Sequence, residues 1–96
     1  MSSGDQELAK LRAEIDRVDS ALVKLLAERI KIVDRVVDVK EKSGMPALIP
    51  DRVEEVVQRV RDETKRLGAP PELAEHVWRQ MMNWIIAYEE KRLGKK

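Results

Sequence analysis

The stretch that decides the fold runs from Leu8 to Lys40 and reads LAKLRAEIDRVDSALVKLLAERIKIVDRVVDVK. Apolar residues recur in it at alternating intervals of three and four, the pattern of one face of a long helix. This hydrophobic seam comprises Leu8, Leu11, Ile15, Val18, Leu22, Leu25, Ile32, Val36 and Val39. Arg29 occupies the seam position after Leu25, and a buried guanidinium needs an anion opposite it. The anion is either a carboxylate of this protein or an anionic ligand.

The breaks between apolar segments predict three helices and an all-α fold. No glycine or proline interrupts residues 5–43, so the first helix is expected over residues 6–42, about 55 Å long. A second helix is expected from Asp51 to just before Gly68, and a third over residues 71–92. The apolar positions expected in the core of these two helices are Val53, Val56, Val57, Val60, Ala74, Val77, Trp78, Met81, Met82, Trp84 and Ile85.

The helix lengths predict a partner chain. The second and third helices together are about as long as the first, so a single chain cannot bury the whole seam. The simplest solution is a two-fold homodimer in which the long helices of two chains intertwine. The alternative is a lone three-helix bundle with an overhanging first helix.

Composition narrows the class of protein. The 96 residues form a single domain (1–96), with residues 1–5 and 94–96 expected to be disordered. The 19 basic and 18 acidic residues are balanced, which gives no reason to expect nucleic acid or a membrane surface as partner. The chain has no cysteine and a single histidine, His76, so metal sites and Ser-His catalysis are not expected. No signal peptide or membrane span is recognisable, and a cytoplasmic protein is expected.

Three cations of the first helix are candidates for binding an anion. Lys40 follows Arg29 by eleven residues, three helical turns, and so lies on nearly the same face about 16 Å away. Arg12 borders the seam about 25 Å from Arg29, so it can reach that site only in an antiparallel partner. Each cation also has an ordinary interpretation: Arg12 as an ion pair with Asp16, Arg29 paired locally or extended to solvent, Lys40 solvated at the helix end.

Glu89 is the second anomaly, because it continues the apolar stripe of the third helix. It is either near a fraying end, paired with Arg92, or buried for a purpose, and a protonated carboxyl would act as a hydrogen-bond donor. Arg52 is a further cation, with an ion pair to Glu55 or Asp51 as its ordinary interpretation. Inward-facing cations without a nucleophile and base favour a reaction in which a dianion is held in one conformation while charge develops. A unimolecular rearrangement fits that description.

The spacing of these residues resembles one known family, the all-helical chorismate mutases. The similar positions are Leu11-Arg12, Ile15, Asp19, Leu25-Leu26-Ala27-Glu28-Arg29, Lys40 and Arg52. The resemblance covers the chain from about Leu8 to Arg92 and implies an intertwined homodimer without a metal or cofactor. It further implies that Arg29, with Arg12 of the partner subunit, holds the two carboxylates of a small dicarboxylate substrate. Lys40 would donate to the ether oxygen of the breaking bond.

Departures from the family pattern leave the substrate open. Glu89 stands where many members have glutamine and would have to be protonated to donate, so activity is expected to fall as the pH rises. Val53 replaces a glutamate that binds the ring hydroxyl, and Ile85 replaces a serine near the ring carboxylate. Arg52 and Ile49 complete the expected substrate-binding set.

The resemblance makes chorismate mutase the primary interpretation, with three alternatives. The stretches 50–53 and 84–87 are similar to the isochorismate-pyruvate lyases, which form salicylate and pyruvate. A 4-amino-4-deoxychorismate mutase is the next possibility, although Val53 offers the substrate amine no partner. A non-catalytic helical dimer is the alternative from a different class of protein.

Overall fold

The computed structural model describes residues 3–94 and contains three α-helices within that range: α1 Ser3–Ser43, α2 Pro50–Arg66 and α3 Pro71–Arg92. The predicted all-α fold with one very long first helix is confirmed. α1 begins three residues before the predicted start, so residues 3–5 are helical where disorder was expected. Gly94 closes a turn, its N–H donating to the Lys91 carbonyl at 3.2 Å. The disorder expected for residues 1, 2, 95 and 96 lies outside the described residues.

Glycine and proline set the helix boundaries. α1 ends at a turn in which Gly44 has φ +68°, a left-handed conformation that residues with a Cβ rarely adopt. α2 begins with Pro50 at its first turn, where the missing N–H costs no helical hydrogen bond. Gly68 follows α2 with φ +83°, which confirms the predicted C′ glycine.

The core of the α2–α3 pair matches the predicted stripes. Its buried side chains are Val56, Val57, Val60, Ala74 and Met82, with Val53 and Trp78 packed against them. Two predicted core residues are exposed instead: Val77 at 45% and Trp84 at 63%. The indole of Trp84 stacks on the ring of Tyr88, one turn later, with centroids 5.5 Å apart. The prediction for Trp84 was wrong because its position is rotated away from the buried stripe, and a neighbouring ring covers one of its faces.

A charged network joins α2 to α3 at their exposed side. The two terminal nitrogens of Arg79 donate to both oxygens of Glu54, at 2.9 and 3.0 Å, in a bidentate pair. The Nε of Arg79 donates to Glu75, and Glu75 also accepts from Arg61, both at 2.8 Å. These bonds hold the pKa values of Glu54 and Glu75 below their usual range, chiefly through the hydrogen bonds from Arg79. The network fixes the two helices relative to each other.

Most of the seam of α1 is exposed in the single chain. The described residues divide into two compact units, with the boundary inside α1 between Asp34 and Arg35. In the first unit the exposed seam residues are Leu8, Leu11, Ile15, Val18, Leu22, Leu25 and Ile32. In the second unit, Val37 is buried whereas the predicted seam residues Val36 and Val39 are exposed. The hydrophobic period thus located the helix, but α1 buries an adjacent face within the second unit. No helix in residues 3–94 is long and apolar enough to span a membrane.

Candidate active site

A buried ion pair joins the end of α1 to the end of α3. The ammonium nitrogen of Lys40 lies 2.9 Å from Oε1 of Glu89. The side chains of Lys40 and Glu89 are only 13% and 8% exposed. The structure thereby brings together two predicted catalytic residues that are distant in the sequence. The pair can offer a polar atom of a ligand a remaining donor of the ammonium and the second oxygen of the carboxyl group, in surroundings that screen charge weakly.

The loop after α1 also holds Lys40. The ammonium donates to the carbonyl oxygen of Ala47 at 2.8 Å, and Ala47 is itself buried. Met45 donates its N–H to the backbone carbonyl of Lys40 at 2.9 Å. Lys40 is therefore not the solvated end-of-helix lysine of its ordinary interpretation. Two of its three ammonium donors are used within residues 3–94, and the third can serve a ligand.

Glu89 is buried and does not pair with Arg92. Glu89 is 6% exposed, and its carboxyl group accepts a hydrogen bond from the ammonium of Lys40. Arg92 instead donates to the hydroxyl of Tyr88 at 3.2 Å, and its guanidinium lies 5.9 Å from the Tyr88 ring centroid. The structure confirms the burial of Glu89, and its purpose as a hydrogen-bond donor stays a prediction.

The other predicted site residues of this unit differ in their surroundings. Ile85 is buried on the same face of α3 as Glu89, one turn earlier. Ile49 is half-buried at the N-cap of α2, and Val53 is half-buried against the α2–α3 core. Arg52 is exposed and pairs with Glu55, its ordinary interpretation. The guanidinium of Arg52 is thus engaged with its own helix.

Arg12 and Arg29 belong to the unit that ends at Asp34. Arg12 is exposed on α1, and Arg29 is half-buried on the same helix. Their assignment to the carboxylates of a substrate stays a prediction. Within residues 3–94 no group of three or more acidic or histidine side chains is placed to hold a metal ion.

A cavity of about 270 Å³ lies beside Lys40. Its lining residues are Lys40, Glu41, Gly44, Met45, Pro46, Ala47, Glu90 and Leu93. Sequence reasoning missed both this cavity and the Ala47 carbonyl, because a backbone acceptor carries no residue-type signal. The glycine and proline that follow Lys40 so closely were the available clue, since they force the chain to turn back beside it.

Comparison with known proteins identifies the family. The family described as chorismate mutase type II matches residues 11–90. The chain therefore belongs to the type II chorismate mutase family, as its resemblance predicted.

Individual relatives are longer proteins in most cases. A T-protein of Enterobacter agglomerans is 43% identical over 76 residues, 79% of this chain and 20% of that protein. A bifunctional chorismate mutase/prephenate dehydratase of Aquifex aeolicus is 32% identical over 89 residues, 90% of this chain and 25% of that protein. A 4-amino-4-deoxychorismate mutase of Streptomyces venezuelae is 38% identical over 80 residues, 83% of this chain and 74% of that protein. The chain thus spans about a fifth to a quarter of the length of the first two relatives.

Proposed function

We propose that this chain is a chorismate mutase, which converts chorismate to prephenate by a [3,3] rearrangement. The observation that carries the proposal is the buried pair of Lys40 and Glu89 in a member of this family. The reaction breaks an ether C–O bond and forms a C–C bond in one cyclic step, and it requires no proton transfer. A site for it needs to bind two carboxylates and to stabilise negative charge at the ether oxygen.

In this proposal the ammonium of Lys40 donates to the ether oxygen, where negative charge grows as the bond breaks. The rearrangement uses the third donor of Lys40, while the Ala47 carbonyl keeps the side chain in place. Glu89, which lies on α3, donates to the same ether oxygen when its carboxyl group is protonated. Because both groups are mostly buried, their hydrogen bonds to the developing charge are stronger than they would be in water.

Two arginines complete the proposed site. Arg29 binds one substrate carboxylate, and Arg12 of the partner subunit binds the other. Guanidinium groups suit this task because their donors match the two oxygens of a carboxylate. Holding both ends of the substrate selects the folded conformation from which the reacting carbons can meet.

The proposed assembly is an intertwined homodimer. Its support is the seam of the first unit, whose large apolar side chains are exposed in the single chain. A continuous apolar face of this length on a soluble helix is typical of a surface that another chain covers. A two-fold partner would cover the seam and bring a second Arg12 to each site.

A second candidate is the rearrangement of 4-amino-4-deoxychorismate. The similarity to the Streptomyces venezuelae relative, which is 38% identical, favours it. Against it stands Val53, an apolar residue at the position expected to face the ring substituent. A valine offers no hydrogen-bond partner to the ring hydroxyl of chorismate or to an amine, but a charged amine without a partner costs more to bury than a hydroxyl, so chorismate stays the preferred substrate.

The test is product identification with three candidate acids. The purified protein is incubated in parallel with chorismate, isochorismate and 4-amino-4-deoxychorismate, and products are separated by chromatography and identified by mass. Prephenate formed most efficiently from chorismate supports the proposal. Salicylate and pyruvate from isochorismate, with chorismate turned over only feebly, would make the chain a lyase. No turnover of any acid would leave a non-catalytic dimer.

A further inference from the structure

The turn formed by residues 44–47 is bonded to both ends of Lys40. Met45 donates its N–H to the lysine's backbone carbonyl at 2.9 Å. The carbonyl of Ala47 accepts from the lysine's ammonium at 2.8 Å. Two residues of this turn thus contact Lys40, one at its backbone and one at the tip of its side chain.

Gly44 makes this double contact possible. Its φ of +68° reverses the chain at the end of α1, and a Cβ added there would meet no atom within 4 Å. A larger residue at this position would therefore be disfavoured by backbone conformation alone, not by a clash with the surroundings. This makes Gly44 a place where the turn can be perturbed without replacing Lys40, Ala47 or Glu89.

The cavity beside Lys40 explains why the lysine needs to be held. Glu41 and Glu90 line the same cavity of about 270 Å³ as Lys40. A lysine side chain is long and has many rotamers, and an ammonium is attracted to any carboxylate within reach. If the Ala47 carbonyl moved away, Lys40 would have both the space and the alternative acceptors to leave Glu89.

We propose that residues 44–47 are a positioning device for Lys40, which fixes its ammonium beside Glu89 and away from the acidic side chains of the cavity. This inference rests on the proposed function for its kinetic consequence, although the geometry of Lys40 can be measured without substrate. Ala47 and Gly44 act through Lys40 and do not touch the substrate. A loss of positioning should lower kcat more than it raises KM, since Lys40 acts on charge that develops only in the transition state.

The experiment compares the same substitution at two glycines. Gly44→Val and Gly68→Val both place a β-branched residue at a positive φ, with no atom within 4 Å of the new Cβ. Gly68 follows α2 and lies outside the turn that holds Lys40. Gly44→Ala is a milder variant if Gly44→Val does not fold, and Gly44→Asn is the conservative rescue because asparagine tolerates this conformation. Thermal unfolding of each variant measures the loss of stability that the strained backbone causes at both glycines, so that it can be separated from a loss of kcat.

For Gly44→Val, kcat with chorismate is expected to fall about 10- to 100-fold while KM changes less than about threefold. Gly68→Val is expected to keep kcat within about twofold, and Gly44→Asn to restore most of it. Equal losses at the two glycines, or an unchanged kcat in Gly44→Val, would overturn the inference.

A second measurement reads Lys40 directly. In ¹⁵N NMR, a hydrogen-bonded, buried ammonium gives a slowly exchanging signal, which a Lys40→Gln spectrum assigns. The signal is expected in the wild type and in Gly68→Val, and it should be lost or exchange faster in Gly44→Val or Gly44→Ala. Retention of the signal in Gly44→Val and Gly44→Ala contradicts the positioning role. If the wild type converts no substrate, the proposed function fails while this measurement still decides the inference.

Discussion

The ammonium of Lys40 lies 2.9 Å from the carboxyl group of Glu89, although 49 positions separate the two residues in the chain. Both side chains are largely buried, so each is the main compensation for the desolvation of the other. Removing one partner of such a buried pair costs about 3–5 kcal/mol of stability. Burying two charged side chains carries a desolvation penalty, and the proposed chemistry gives a reason why the chain keeps this pair.

Replacing Glu89 by glutamine should change the pH dependence of the reaction. In the proposed mechanism Glu89 donates a hydrogen bond to the ether oxygen, which only the acid form of its side chain can do. An amide donates at every pH and can still accept from Lys40 through its oxygen. The profile of Glu89→Gln should therefore be flat, from acid to mildly alkaline pH, when kcat is measured with chorismate.

A neighbouring carboxylate provides the control for that profile. Glu90 lines the cavity beside Lys40 but is half-buried, and Lys40 donates to Glu89 instead. Glu90→Gln should keep the wild-type profile. If the wild type itself shows no loss of kcat between acid and mildly alkaline pH, the requirement for a protonated Glu89 is wrong.

Arg29→Ala should abolish most activity and leave the fold intact. Removing one preorganised charge contact to a developing or bound anion typically lowers the rate about 10²- to 10³-fold. Steady-state kinetics with chorismate measure the loss, and circular dichroism with thermal unfolding checks the fold. Lys31→Ala, at an exposed position of the same helix, should stay close to the wild type. A non-catalytic dimer predicts that Arg29→Ala is nearly neutral or even stabilising, because the half-buried guanidinium then has no substrate carboxylate to bind.

The sequence predicts the helices and most of the core because those features depend on period and on local breaks. The stripe of α2 and the glycine after it follow directly from spacing. Period alone does not select a face when a helix is apolar on more than one side. The single chain buries Val37 on one face of α1, whereas the seam residues Val36 and Val39 lie on the face that the proposed partner chain would cover.

The site was predictable only in part. A glutamate on an apolar stripe indicates a buried position, and Glu89 is buried. Its pairing with Lys40 is a tertiary contact between α1 and α3 that no local pattern specifies. The Ala47 carbonyl carries still less information, since every residue has one. The exposed Trp84, which stacks on the half-buried ring of Tyr88, shows the opposite failure, in which an apolar residue type was taken for a buried position.

Acid should weaken the link between α2 and α3 through Glu54 and Glu75. The hydrogen bonds from Arg79 lower the pKa of both carboxyls below the usual value of 4.5. A carboxyl whose pKa is lowered by folding stabilises the protein above its unfolded pKa, and this contribution is lost as the pH falls through the folded value. The urea midpoint should therefore fall between about pH 5 and about pH 3 more steeply in the wild type than in Arg79→Met.

The matched control for this network is a pair within one helix. Arg59 donates to Glu63 four residues later on the exposed surface of α2. Arg59→Met removes an arginine–glutamate pair of the same helix without disturbing the link to α3, and it should keep the acid slope of the wild type. Equal slopes for the wild type and Arg79→Met would show that the network contributes nothing to acid sensitivity.

Mixing two inactive variants should restore activity if Arg12 acts across the subunit interface. In a heterodimer of Arg12→Ala and Lys40→Ala, one site combines the intact Lys40 of one chain with the intact Arg12 of the other, while the second site lacks both. Random reassociation makes about half of the dimers mixed, so activity should return to about a quarter of the wild-type value. Co-refolding in equal amounts, followed by a chorismate assay and size-exclusion chromatography, measures this recovery. If Arg12 serves the site of its own chain, every site carries one defect and the mixture stays inactive. A control mixture of Arg29→Ala with Lys40→Ala should also stay inactive, because the proposed site takes both residues from the same chain.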